Sequence, residues 1–85
     1  MKYALFLRKS AEKELLSLPK QYAFKIKDAI TALAGNPRPK GCKKLSSKAD
    51  DYRIRVGSYR VVYTISDAKL IVWVIKIAHR KEIYR

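Results

Sequence analysis

Residues 52–63 read Y-R-I-R-V-G-S-Y-R-V-V-Y, two alternating runs on either side of Gly57-Ser58. A Gly at the first central position of a two-residue loop predicts a type II′ hairpin. That turn sets the register: Val56 faces Tyr59, Ile54 faces Val61, and Tyr52 faces Tyr63. Side chains alternate along a strand, so a slip of one residue would turn the whole set over. One face is then apolar and aromatic, suited to a core. On the other, Arg55 lies opposite Arg60, and Arg53 sits two residues along from Arg55. Like charges paired across strands are destabilising. Three arginines gathered on one face therefore suggest a surface built to receive an anion, because the planar guanidinium fork matches phosphate. The alternative is an ordinary solvated face, where mixed charges are the norm.

A chain of 85 residues supports one domain, residues 1–85, with one small core. Its 20 Lys and Arg against 7 Asp and Glu give a formal charge of +13, which argues for a polyanionic partner, nucleic acid before membrane. No stretch is long enough to span a bilayer. Residues 1–7 have neither a secretory apolar region of adequate length nor a small-residue cleavage site. One Cys and one His exclude an internal disulfide and a zinc cluster of the usual kind. The expectation is a cytoplasmic protein with no cofactor, whose basic face an acidic protein partner would mask.

In chain order, residues 2–7 read as a first strand, apolar on both sides and so largely covered. Ser10 is a candidate N-cap for a first helix with Ala11, Leu15 and Leu18 as its buried stripe, and Pro19 stops it. A second helix spans residues 20–34, with Tyr22, Ile26, Ala29, Ile30 and Leu33 at helical spacing and Gly35 as the residue that ends it. Residues 36–51 form a basic loop with Arg38, Lys40, Lys43, Lys44 and Lys48, anchored by Leu45. Several of its lysines suit non-specific phosphate contact. Cys42 has no nucleophile pattern around it and reads as structural or incidental.

Beyond the hairpin, residues 66–69 form a turn, and residues 70–78 form a strand apolar on both faces, hence central. Ile71, Trp73, Ile75 and Ile77 make its greasier side; if that side meets the helices, Lys76 points toward the arginines. Trp73 could stack a base, but a core role fits an apolar strand better. The chain ends H-R-K-E-I-Y-R. His79 reads alone as a strand-end residue with a half-buried ring, and Tyr84 as a plug that holds the tail. Beside Arg53, Arg55, Arg60 and Arg80, both become candidates for a site.

Such a site could cleave RNA without metal, using the 2′-hydroxyl as nucleophile. Fixed guanidinium groups would stabilise charge on the phosphorane. Arg is a poor proton carrier, because its pKa is above about 12. His79 has a suitable reference pKa, near 6.5. Tyr84 would need neighbouring cations to ionise near neutral pH. No paired carboxylates lie on the arginine face to serve as acid and base.

The two segments Y-R-I-R-V-G-S-Y-R-V-V-Y and H-R-K-E-I-Y-R, with the helix hairpin, the N-P-R-P loop and K-K-L in the same order, resemble the RelE branch of the RelE/ParE toxin superfamily. The resemblance covers nearly the whole chain. It implies an α+β fold, β-α-α-β-β-β, with two N-terminal helices packed on a small, mainly antiparallel four-stranded sheet. It implies the toxin of a type II toxin–antitoxin pair, cutting mRNA in the ribosomal A site. Its partners would be a cognate antitoxin, the ribosome and mRNA. The toxin itself would be monomeric and would assemble into oligomers with the antitoxin. The family's active-site positions fall on Arg53, Arg55, Arg60, Arg80 and Tyr84. Arg60 and Arg80 would stabilise the transition state or leaving group, and Arg53 would hold phosphate. Arg55 falls where relatives often carry a Lys proposed as proton acceptor, so His79 or Tyr84 becomes the candidate for that role. Lys43, Lys44 and Lys76 would bind substrate. The ParE branch, which poisons DNA gyrase, and a non-enzymatic nucleic-acid-binding module are the alternatives.

Overall fold

The computed structural model describes residues 2–45 and 50–79. Arg80, Tyr84 and Lys48 therefore lie outside the described residues. The elements run β1 (Ala4–Leu7), α1 (Lys9–Leu16), α2 (Lys20–Ala32), β2 (Lys43–Lys44), β3 (Asp51–Val56), β4 (Tyr59–Ser66) and β5 (Ile71–His79). The five strands form one sheet in the order β1-β5-β4-β3-β2. β1 runs parallel to β5, and the other pairings are antiparallel. The expected α+β class holds, and the fifth strand is the two-residue β2 inside the basic loop. No described helix is long and apolar enough to cross a membrane.

The hairpin register is the one its turn chemistry demands: Val56 pairs with Tyr59, Ile54 with Val61 and Tyr52 with Tyr63. Gly57 has φ 61°, the left-handed value that a type II′ turn needs at its first central residue. The inner face of the sheet meets Ala11 of α1 and Ile26, Ile30 and Leu33 of the second helical segment. Tyr63, fully buried, donates its hydroxyl to the Pro37 carbonyl at 2.7 Å. Burial, and secondarily the nearby Cys42, push its pKa well above the usual phenol value.

Several local expectations are corrected. α1 starts at Lys9 with Arg8, not Ser10, in the capping position. The Arg8 backbone N–H donates to the Val74 carbonyl at 3.0 Å, so pairing with β5 sets where the helix begins. Gly35 is not left-handed. α2 instead tightens at its end, with Leu33, Ala34 and Gly35 N–H groups reaching carbonyls three residues back. β1 is an edge strand rather than a covered one: Leu5 and Leu7 pack on the core, while Phe6 is exposed. Leu45 is also exposed and is held by its backbone N–H on the Asp51 carbonyl at 2.8 Å.

The largest correction concerns β5, which is central as expected. Val62 pairs with Lys76, but Tyr63 pairs with Val74, so Ile75 is the extra residue of a β-bulge in β5. A bulge reverses the alternation on either side of it. Val72, Val74 and Ile77 consequently point into the core. Trp73 does not; it stands on the outer face, 40% exposed. Past the end of β1, the free edge of β5 is capped from α1: the Ile77 N–H donates to Glu14 Oε1 at 2.9 Å. That contact blunts an edge which would otherwise offer open backbone groups.

Candidate nucleic-acid face

The sheet register builds the candidate site on the face away from the helices. One row of direct partners runs Lys43, Arg53, Val62, Lys76, and the next runs Arg55, Arg60, Ala78. Arg53, Arg55, Arg60, Lys43 and Lys76 therefore share this face. Small neighbours make room for large cations: Val62 lies beside Arg53, and Ala78 beside Arg60. Arg53 and Arg60 are 8% and 3% exposed, whereas Arg55 is open to solvent. A cation this deeply buried is costly unless an anion meets it. Among the described residues no hydrogen bond or ion pair engages the Arg53 guanidinium. It lines an open pocket of about 400 Å³ with Lys40, Gly41, Ile54 and Arg55.

The third cation of that pocket, Lys40, comes from the loop. The Cys42 N–H donates to the Pro39 carbonyl at 3.0 Å, and Gly41 has φ 94°. This is the geometry of a type II turn, in which the third residue must be left-handed. It brings Lys40 into the lining of the same pocket as Arg53. The loop is itself clamped from across the molecule. Arg38 donates to both oxygens of Asp67, at 3.2 and 2.8 Å, and its Nε donates to the Tyr52 hydroxyl at 3.1 Å. The Tyr3 hydroxyl donates to Asp67 Oδ1 at 2.6 Å. The Arg38 guanidinium, and then the Tyr3 hydroxyl, hold the Asp67 carboxyl down at about 2. Arg38, counted from sequence among the cations of the basic loop, is thus a structural residue. Asp67 read only as part of a turn, and nothing local relates two residues 29 positions apart.

Two proposed site residues, His79 and Lys44, sit elsewhere than the arginine face, and a third, Lys76, is engaged there by a carboxylate. His79 pairs with Tyr59, so it lies on the helix side; its half-buried ring meets Tyr59 edge-on at 5.5 Å. The expectation that set it beside the arginines is corrected by strand alternation: Ala78, not His79, is the partner of Arg60. Lys44 likewise pairs with Tyr52 on the inner side, its Nζ 6.0 Å from the Tyr52 ring centre and 4.0 Å from Asp50. Lys76 does share the arginine face, but its Nζ turns to Glu14 at 3.4 Å.

A different surface lies between the helices and β1. Leu5, Leu7, Leu15, Leu16 and Phe24 line an apolar cleft of about 660 Å³. Leu16 and Phe24 are 78% and 73% exposed, which is unusual for side chains of that size on one patch.

Residues 5–84 match the family model described as the ParE toxin of the type II toxin–antitoxin system parDE. A Methanocaldococcus jannaschii protein that carries the name toxin RelE1 is 33% identical, with all of this chain and 98% of that protein aligned. Among solved structures, RelE in the archaeal RelE–RelB complex of Pyrococcus horikoshii OT3 superposes with a TM-score of 0.84 at 29% identity, over 94% of this chain and 97% of that one. A double-arginine variant of Escherichia coli RelE in the free state gives 0.81 at 31% identity, over 99% and 92%. With its helix hairpin, its mixed sheet and its arginine-bearing face, this chain belongs to the RelE/ParE superfamily of type II toxins, as a RelE-like member.

Proposed function

We propose that this toxin is a ribosome-dependent endoribonuclease that cleaves mRNA in the A site without a metal. The observation that carries the reading is the cross-strand pair Arg55–Arg60 with Arg53 beside it, a concentration of guanidinium charge on one face. The 2′-oxygen of the substrate attacks the adjoining phosphorus, and the bond to the 5′-oxygen of the next nucleotide breaks. A 2′,3′-cyclic phosphate and a 5′-hydroxyl result. Arg55 and Arg60, with Arg80, offset charge on the phosphorane, and Arg53 and Lys43 hold the chain. Protons must leave the 2′-hydroxyl and reach the 5′-oxygen. Tyr84 is the proposed carrier, because His79 sits on the helix side of the sheet. The cytoplasm, where ribosomes are, is the proposed place of action.

A cognate antitoxin is the proposed partner, supported by structural neighbours that are RelE–RelB complexes. The apolar cleft around Leu16 and Phe24 suits an amphipathic segment of such a partner. A second reading, gyrase poisoning, is favoured by one finding: the matching family model carries the ParE description.

Brief induction in cells, followed by mapping of 5′ ends on an abundant mRNA, separates the two. New ends inside translated codons, lost in an Arg60→Ala, Arg80→Ala variant, support the nuclease. Intact mRNA with broken DNA would move the assignment to gyrase.

A further inference from the structure

The outer face of the sheet carries a second feature, set apart from the arginines. Phe6 and Trp73 are direct partners in the parallel β1–β5 pair. Their rings stack at 4.9 Å with 27° between the planes. They stay 43% and 40% exposed, on the side where no helix packs. Arg8 follows Phe6 by two residues and lines, with Thr64, Trp73 and Ile75, a shallow pocket of about 330 Å³. Lys76 stands on the same face. Thr64 pairs with Trp73, and Arg60 lies four residues away along β4, about 13 Å at the rise of a strand.

We propose that Phe6 and Trp73 form a stacking platform for bases of single-stranded RNA, with Arg8 meeting a neighbouring phosphate. The proposal rests on the RNA reading of the arginine face and extends it. The arginines hold the reacting phosphate, and the platform holds a base a few nucleotides along the same strand. Every base has a π face, so open aromatics on a basic sheet bind single strands with little regard to sequence. An apolar protein segment would fit a patch of aliphatic side chains such as the cleft between the helices. Here Arg8 shares a pocket with the Trp73 ring, and the chain as a whole carries +13. That charge complements a polyanion.

Trp73 is the only tryptophan, so its emission reports the platform directly. The full chain would be titrated with a short unstructured oligoribonucleotide bearing 2′-O-methyl sugars, which cannot be cut, and with an abasic oligomer of the same length. The expected result is saturable quenching by the RNA and none by the abasic strand. Phe6→Leu, with its fold checked by thermal melting, should bind the RNA about tenfold more weakly, and Phe6→Tyr should bind like the parent. Unchanged emission with RNA, while Arg55→Ala still weakens binding, would remove the platform and leave the arginine reading standing. Equal quenching by the abasic strand would also overturn it. Quenching that appears only with purified cognate antitoxin would make the pair a protein contact instead. Quenching with undiminished affinity in both Arg55→Ala and Arg60→Ala would support the platform and count against the arginine reading.

Discussion

Arg55 and Arg60 stand directly opposite each other on the outer face of the β3–β4 hairpin. One residue away on either strand, Ile54 and Val61 face each other on the inner side, 7% and 0% exposed. The core pair and the cationic pair are consequences of one register. The arginines cannot be separated without turning the core outward. Hydrophobic burial on one face thus holds like charges together on the other.

On the proposed RNA reading these charges meet phosphate, and RNA affinity should then fall steeply with salt. Arg55→Ala and Arg60→Ala should each weaken binding about equally across sequences and lower the slope of log affinity against log salt by roughly one. Titration of a non-cleavable RNA over a salt series measures both quantities. An unchanged slope in either variant would show that the residue makes no phosphate contact.

The Asp67 clamp gives an acid-side dependence whose sign is fixed. The Asp67 carboxyl titrates at about 2 in the folded chain, against an ordinary value of 3.8. A depressed carboxyl contributes stability above its unfolded pKa and loses it as pH falls toward the folded one. Thermal melts of the parent should therefore lose ground to Asp67→Asn as pH drops from about 4 to 2. Above that window the parent should be the more stable. The variant should also bind RNA less well at neutral pH, since Arg38 and the turn bearing Lys40 lose their anchor.

Tyr63→Phe tests the bond that ties the post-helix segment to the sheet. The change removes a hydroxyl and leaves the buried Pro37 carbonyl without its 2.7 Å donor. A loss of about 1–3 kcal/mol is expected in urea unfolding. The same buried phenol, its pKa raised by burial, favours the neutral form on folding. Its contribution is fully present below the unfolded value of 10.0 and falls as pH rises above it. The parent should therefore lose stability relative to Tyr63→Phe on that alkaline side.

Leu16→Glu and Phe24→Glu probe the apolar cleft. Both side chains are largely exposed, so stability should change by no more than about 0.5 kcal/mol. Neutralisation by co-expressed antitoxin should be lost while toxicity persists. Normal rescue by the antitoxin in both variants would place its contact elsewhere.

Much of this was legible in twelve residues. Turn chemistry at Gly57-Ser58 and strict alternation from Tyr52 to Tyr63 were enough to pair Arg55 with Arg60, because both rules are local. The stripes Ala11–Leu15–Leu18 and Ile26–Ile30–Leu33 followed from helical periodicity for the same reason. What could not be read was any relation that depends on where a chain segment docks. The bulge beside Val62 and Tyr63 turned Trp73 outward and Ile77 inward, and His79 went with Ile77 to the helix side. An apolar run carries no mark of the residue at which its phase will slip. The Arg38–Asp67–Tyr3 clamp joins three segments through contacts that sequence spacing does not encode. Composition, periodicity and turn residues determined the elements, the hairpin register and the gathering of positive charge, since these follow from backbone geometry within a few residues. Which aromatic faces solvent, which His leaves the arginine face and which cation serves structure rather than ligand were decided only in the tertiary structure, by strand order, one bulge and the packing of two helices on a single side.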